Sequence, residues 1–255
     1  MKIAVTGKGG VGKTTLAASL ARLYAADGWR VLAVDADPDA NLGLALGLTE
    51  DEVADITPIA DMSGLIAERT GADRENYGKF FKINPRVDDI PDRFAVEKNG
   101  VKLLVMGTVE TGGGGCVCPE HVMLKRVVSH LVLKSDDVIV MDMEAGIEHL
   151  GRGTAGMVDR FIAVVEPGAR SIQTYERIRA LATDLGVRRV SVVGNKVTDD
   201  ADRAFISGRV PQEDLLGFIS YSGGVVEADK AGGSPLASDG LFAKEVNIIK
   251  ERIES

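Results

Sequence analysis

One stretch constrains what this chain can fold into: Gly7-Lys8-Gly9-Gly10-Val11-Gly12-Lys13-Thr14. It follows an apolar run, residues 2–6, that reads as a short buried strand. It opens into residues 15–23, which read as a helix. Strand, glycine loop and helix form the context that G-x-x-x-x-G-K-[ST] requires of a phosphate-binding loop. The glycines let successive backbone N–H groups turn toward one anion with no Cβ in the way. The helix N-terminus adds unpaired N–H groups and a favourable dipole. Gly9, Gly10, Val11, Gly12, Lys13, Thr14 and Thr15 are the candidate contacts. Lys13 places a point charge on the terminal phosphates, and the Thr14 hydroxyl suits Mg²⁺.

A loop of this kind needs a parallel sheet behind it, and the rest of the chain supplies one. Apolar strand-like runs recur at residues 29–35, 101–106, 137–142, 160–165, 189–194 and 215–220, with helical spacing between most of them. Gly28 reads as a left-handed cap for the first helix. Asn99-Gly100 marks a hairpin turn between residues 94–98 and 101–106, with the second arm entering the main sheet. Pro119 suits the first turn of a helix running through Leu131. Residues 49–93 are expected to be irregular apart from a helix over 62–69, because Pro58, Pro85 and Pro91 interrupt them. The expectation is an α/β fold: a mostly parallel twisted sheet with helices on both faces, in one domain over residues 1–255. That length suffices for one substantial core.

Charge and composition exclude other classes. The net charge is −8, which argues against nucleic-acid or anionic-membrane partners. No apolar run nears the roughly 20 residues that span a bilayer, and strand one starts at the N-terminus with no signal peptide before it, so a cytoplasmic location is expected.

Two carboxylate-bearing stretches follow strands beside the loop. Residues 35–39 read Asp-Ala-Asp-Pro-Asp, and Asp142 closes the buried run 137–142 in the Walker B arrangement, placed to hold Mg²⁺ through water.

Lys8, placed just after the first glycine, turns the loop into K-G-G-x-G-K-[ST]. This resembles the deviant Walker A pattern of the MinD/ParA division and partition ATPases, the nitrogenase iron protein and metallocentre-assembly ATPases. The resemblance implies ATP and ADP as ligands, Mg²⁺-dependent ATP hydrolysis, and an early lysine, Lys8, that crosses a homodimer interface to the partner's nucleotide. It places Asp37, ahead of Asp35 or Asp39, beside Mg²⁺ and the attacking water. The segment Asp142-Met143-Glu144-Ala145-Gly146-Ile147-Glu148 resembles switch II of the same group, with Gly146 turning an N–H toward the terminal phosphate. Glu144 stands where that group more often has proline. Asn195, with Lys196 beside it, occupies a strand end from which the base is contacted.

The two cysteines of the chain, Cys116 and Cys118, sit in Gly112-Gly113-Gly114-Gly115-Cys116-Val117-Cys118-Pro119-Glu120-His121. One such pair is half of a four-thiolate set. Two chains about a two-fold axis would supply the other half, giving an intersubunit site suited to Zn²⁺ or Ni²⁺, with an iron–sulfur cluster as a further option. Together with residues 142–153, this segment resembles the CooC-type nickel-insertion ATPases, which assist maturation of carbon monoxide dehydrogenase. The resemblance implies a homodimer promoted by ATP and metal, with that metalloenzyme as client. An iron–sulfur carrier ATPase and a MinD/ParA-like positioning ATPase are the alternatives. The carriers usually show C-x-x-C. A positioning ATPase needs a basic tail or patch, whereas charges on the final helix, residues 241–254, cancel.

Overall fold

The computed structural model describes residues 1–72, 81–108, 118–134, 137–144, 158–187 and 189–255. Its centre is an eight-stranded sheet in the order β3-β4-β2-β5-β1-β6-β7-β8. The strands are β1 Lys2–Gly7, β2 Val31–Ala36, β3 Val96–Lys98, β4 Val101–Val105, β5 Val138–Met143, β6 Arg160–Val165, β7 Val190–Val197 and β8 Leu215–Ser220. Every pairing is parallel except β3 with β4. Here Asn99 (φ 52) and Gly100 (φ 76) make the left-handed two-residue turn the sequence predicts. The short antiparallel β3 closes one edge.

Strand alternation divides the core into layers. Ile3, Val5 and Val140 face α1 (Lys13–Ala26), while Ala4, Ile139 and Met141 face α6 (Pro119–Lys134). The first layer packs Leu16, Leu20 and Tyr24 of α1 against Phe242, Val246, Ile249 and Ile253 of the final helix, α11 (Gly240–Glu254). These four residues, spaced at three and four, form the buried face of α11. Lys250 lies on the same helix and is buried with them. It is 7% exposed, and its Nζ lies 2.7 Å from Asp27 and 2.8 Å from Glu254. Those ion pairs tie α11 to the end of α1, where Gly28 (φ 85) is the expected cap.

The second layer combines Met123, Val127 and Leu131 of α6 with Ile66 of α4 (Ser63–Thr70) and Ile90 of α5 (Ile90–Phe94). A third cluster joins β6 and β7 to Tyr175 of α7 (Ala169–Asp184) and Ile206 of α8 (Asp200–Ser207).

Residues 49–93 are more regular than expected. Besides α4 they hold α3 (Glu50–Ala54), a 3₁₀ turn over Ile59–Asp61, and α5. Thr49 and Glu52 form a reciprocal capping box, the signal that overrides the neighbouring breaks. Pro91 falls in the first turn of α5, where a missing N–H costs nothing. Strand β7 also outruns its predicted end at Gly194. It continues through Asn195 and Lys196, with Lys196 at φ 57 and an irregular register against β8. Three short helices complete the chain: α2 (Leu42–Leu46), α9 (Gly223–Lys230) and α10 (Pro235–Ser238).

Candidate nucleotide and metal sites

Register brings the chemistry together. Asp142 on β5 is level with Val5 on one side and Asp35 on the other, and Gly7 is level with Val164. The carboxyl ends of β1, β2 and β5 thus meet where the strand order reverses, the place where open α/β sheets bind ligands. A cavity of about 530 Å³ opens there, lined by Lys8, Gly9, Gly10, Gly12, Lys13, Thr14, Thr15, Asp37 and Glu144 among others.

The loop is held by both its backbone and its neighbours. Gly12 precedes α1 at φ 95, and a Cβ there would lie 2.3 Å from Asn195 Nδ2. Only glycine satisfies both constraints. Asn195 Nδ2 donates to the Val11 carbonyl at 2.7 Å, and Lys196 Nζ donates to the Gly10 carbonyl at 2.6 Å. Both residues thereby brace the phosphate loop, a role the sequence did not suggest. Because the Val11 oxygen can only accept, the amide of Asn195 must present its nitrogen to it. Asn195 and Lys196 also line a narrow apolar slot with Tyr221, Val225, Val226 and Phe242 at the far end of the cavity.

Lys13 is 7% exposed, and its Nζ lies 3.3 Å from Asp37 Oδ2. Asp37 Oδ1 accepts from the Asp39 backbone at 3.1 Å, which fixes the turn. Asp35 is buried and shapes the same loop: its oxygens accept from Leu42 N at 2.9 Å and Asp37 N at 3.3 Å. Burial pushes its carboxyl up to about 7; the Leu42 hydrogen bond opposes this and the Asp142 charge adds to it. Asp142 is fully buried and is raised to about 6, chiefly by burial, with the Thr14 hydroxyl and Lys13 acting the other way. Neither Asp142 oxygen closes a hydrogen bond of normal geometry among the described residues.

Two buried carboxylates with raised values, one lacking full partners, form an environment short of positive charge. That fits Mg²⁺, which keeps several waters and takes only one or two protein carboxylates. Lys8 is 40% exposed and rests 3.6 Å from Glu166 of the same chain.

The thiol end is built differently. Cys118 immediately precedes α6, with its Sγ 3.8 Å from His121 Nδ1. Burial holds its thiol above the ordinary value. Cys116 and Gly146 lie outside the described residues. Among the described residues no group of three or more His, Cys, Asp or Glu side chains is arranged around one ion. No described helix is long and apolar enough to cross a membrane.

The model of the CobQ/CobB/MinD/ParA nucleotide binding domain matches residues 2–236. The chain belongs to this nucleotide-binding family. Within the CobQ/CobB/MinD/ParA family it is 50% identical over 232 residues to the carbon monoxide dehydrogenase accessory protein CooC of Rhodospirillum rubrum, covering 91% of this chain and 88% of that one. It is 44% identical over 252 residues to an uncharacterized ATP-binding protein of Methanocaldococcus jannaschii, covering 98% and 96%. Its fold matches septum site-determining protein MinD complexed with Mg-ADP from Pyrococcus horikoshii, with a TM-score of 0.67 at 20% identity over 99% of this chain and 95% of that one. The expected P-loop α/β architecture is thus the observed one.

Proposed function

We propose that this chain is an ATP-hydrolysing, homodimeric metallochaperone that assists nickel insertion into carbon monoxide dehydrogenase. The observation that carries the reading is the 50% identity, spanning most of both chains, to an accessory protein of that enzyme. The cavity supports the nucleotide half of the proposal. Lys13 and the loop N–H groups bind the phosphates of ATP or ADP, and Thr14, Asp37 and Asp142 hold Mg²⁺, the last two through water. The cation supplies charge neutralisation at the transferring phosphate. Lys8 leaves Glu166 and acts on the partner's nucleotide, where a trans cation stabilises transition-state charge. Gly146 contributes an N–H to the terminal phosphate.

Asn195 gives one Nδ2–H to the Val11 carbonyl, which leaves its second Nδ2–H and its oxygen for a base. A side chain with a donor and an acceptor beside an apolar slot suits a flat nucleotide base. The whole of residues 1–255 acts as one ATPase domain. Cys116 and Cys118 from two chains form the four-thiolate site for the transferred divalent metal, Ni²⁺ or Zn²⁺. The test is activation of nickel-deficient carbon monoxide dehydrogenase by Ni²⁺, with and without this protein and ATP. ATP-dependent activation that Lys13→Ala abolishes is expected; equal activation without the protein would reject the proposal.

A further inference from the structure

We propose that Tyr221 is the platform on which the nucleotide base stacks, and that it sets the site's preference for a nucleotide over bare phosphate. This rests on the nucleotide reading above and gives its base subsite a specificity-determining residue.

The apolar slot and the phosphate cavity are one continuous space, sharing Gly12, Thr15, Lys196, Val225 and Val226. A nucleotide whose phosphates rest on the loop therefore carries its base into the slot. Buried Leu16 and Phe242 line the slot together with Tyr221. Among the described slot residues Tyr221 is the one aromatic ring that stays accessible: it is 58% exposed, against 3% for Phe242. A ring already packed has no face to offer a ligand, whereas an accessible ring beside a slot does.

The direction of that ring follows from the strand. Val197 on β7 is level with Ser220, and the ladder runs one residue further because Tyr221 N donates to the Val197 carbonyl at 2.9 Å. Ile219 packs into the α1 layer, so Tyr221, two positions on, faces the same side. The backbone beneath it is held on both flanks by the final helix. Ser220 donates its N–H and its hydroxyl to the Glu245 carboxylate at 2.7 and 2.8 Å. The Ser222 hydroxyl donates to Asp239, whose other oxygen accepts from Phe242 N at 2.9 Å and caps α11. Tyr221 is thus an exposed ring on a fixed pedestal, anchored to the same helix that supplies Phe242. Holding the ring in place before the ligand arrives lowers the ordering cost of binding. Stacking on an aromatic face tolerates any base, because every base has a π-face. Discrimination among bases then falls to the Asn195 amide, while Tyr221 distinguishes base from no base.

Equilibrium binding of ADP and of inorganic pyrophosphate, each with Mg²⁺, to wild type, Tyr221→Ala and Tyr221→Phe tests the assignment. Both ligands seat a diphosphate on the loop, and only ADP brings a base. Tyr221→Ala is expected to weaken ADP binding roughly 10- to 100-fold and to leave pyrophosphate affinity unchanged. Because the ring is exposed, its removal opens no core cavity, and pyrophosphate binding reports that the loop is intact. Tyr221→Phe should bind ADP like wild type. In a Trp29→Phe background, the indole introduced by Tyr221→Trp should be quenched by ADP and not by pyrophosphate. Wild-type ADP affinity in Tyr221→Ala, an equal loss for pyrophosphate, or a Tyr221→Phe as weak as Tyr221→Ala would each overturn it. If the wild type binds neither ADP nor pyrophosphate, the nucleotide reading falls and this assignment with it. ADP binding that Lys13→Ala abolishes and Tyr221→Ala leaves alone removes the assignment alone.

Discussion

The phosphate end of the molecule and its thiol end are built on opposite plans. At the phosphate end one chain supplies everything the described geometry needs: Lys13 at 7% exposure, Asp35 and Asp142 buried, and a loop braced by Asn195 and Lys196 from a distant strand. At the thiol end Cys118 sits half-buried before α6 with His121 for company, and no set of three ligands forms among the described residues. The first site is finished by folding; the second, in the proposed function, is finished by association. Nucleotide chemistry and metal chemistry should therefore fail separately, except where a residue serves the dimer.

In the proposed dimer Lys8 is that exception. Lys8→Ala is expected to cut ATPase activity by about 10³-fold while leaving ADP binding intact, because only the trans cation is lost. Steady-state turnover beside ADP titration measures both. Normal turnover would make the phosphate end self-sufficient and remove the link between the sites. Asp37→Asn comes next, with turnover slowed by roughly 10²-fold and an ATP-bound dimer that accumulates in light scattering. A fully active, monomeric variant would move the role to a neighbouring carboxylate.

The buried carboxylates give the comparison a pH dependence. The folded-state values of Asp35 and Asp142, about 7 and about 6, lie above the ordinary carboxylate value. The native state therefore holds more protons than the unfolded chain between those limits, and their contribution to stability falls as pH rises from about 4 to about 7. Thermal melts of the nucleotide-free protein should show a decline over that range. Mg²⁺ with ADP should reverse it at neutral pH, and Asp142→Asn should flatten it. A melting temperature that rises steadily with pH, and to the same extent in Asp142→Asn, would mean these groups are not charge-starved. The smallest effect belongs to Asn195→Ala. It removes one neutral brace of about 1 kcal/mol and should weaken ATP binding several-fold by calorimetry, with metal binding unaffected.

The phosphate end was legible because its requirements are local. A glycine loop between a strand and a helix admits few geometries, and Asp142 follows from a strand ending in a carboxylate. Bracing by Asn195 and Lys196 was not legible, since it depends on β7 running past Gly194 and on a contact 184 residues away in sequence. The same applies to the ion pair of Lys250 with Asp27, which depends on α11 packing against the end of α1. Residues 49–93 misled through their prolines, while the Thr49/Glu52 capping box carried the true signal. At the thiol end the proposed donors, Cys116 and Cys118, are named by the sequence alone. Their number about the ion depends on symmetry, which one chain does not encode.

Metal stoichiometry against protein concentration, with anaerobic protein and with and without ATP, is the direct test of a thiol site completed by association. The expected result is one divalent ion per dimer, bound more tightly with ATP and lost in Cys116→Ser and in Cys118→Ser while nucleotide binding persists. By linkage the metal should tighten the ATP-bound dimer by the same factor. One ion per monomer, or an ion that survives both substitutions, would contradict it.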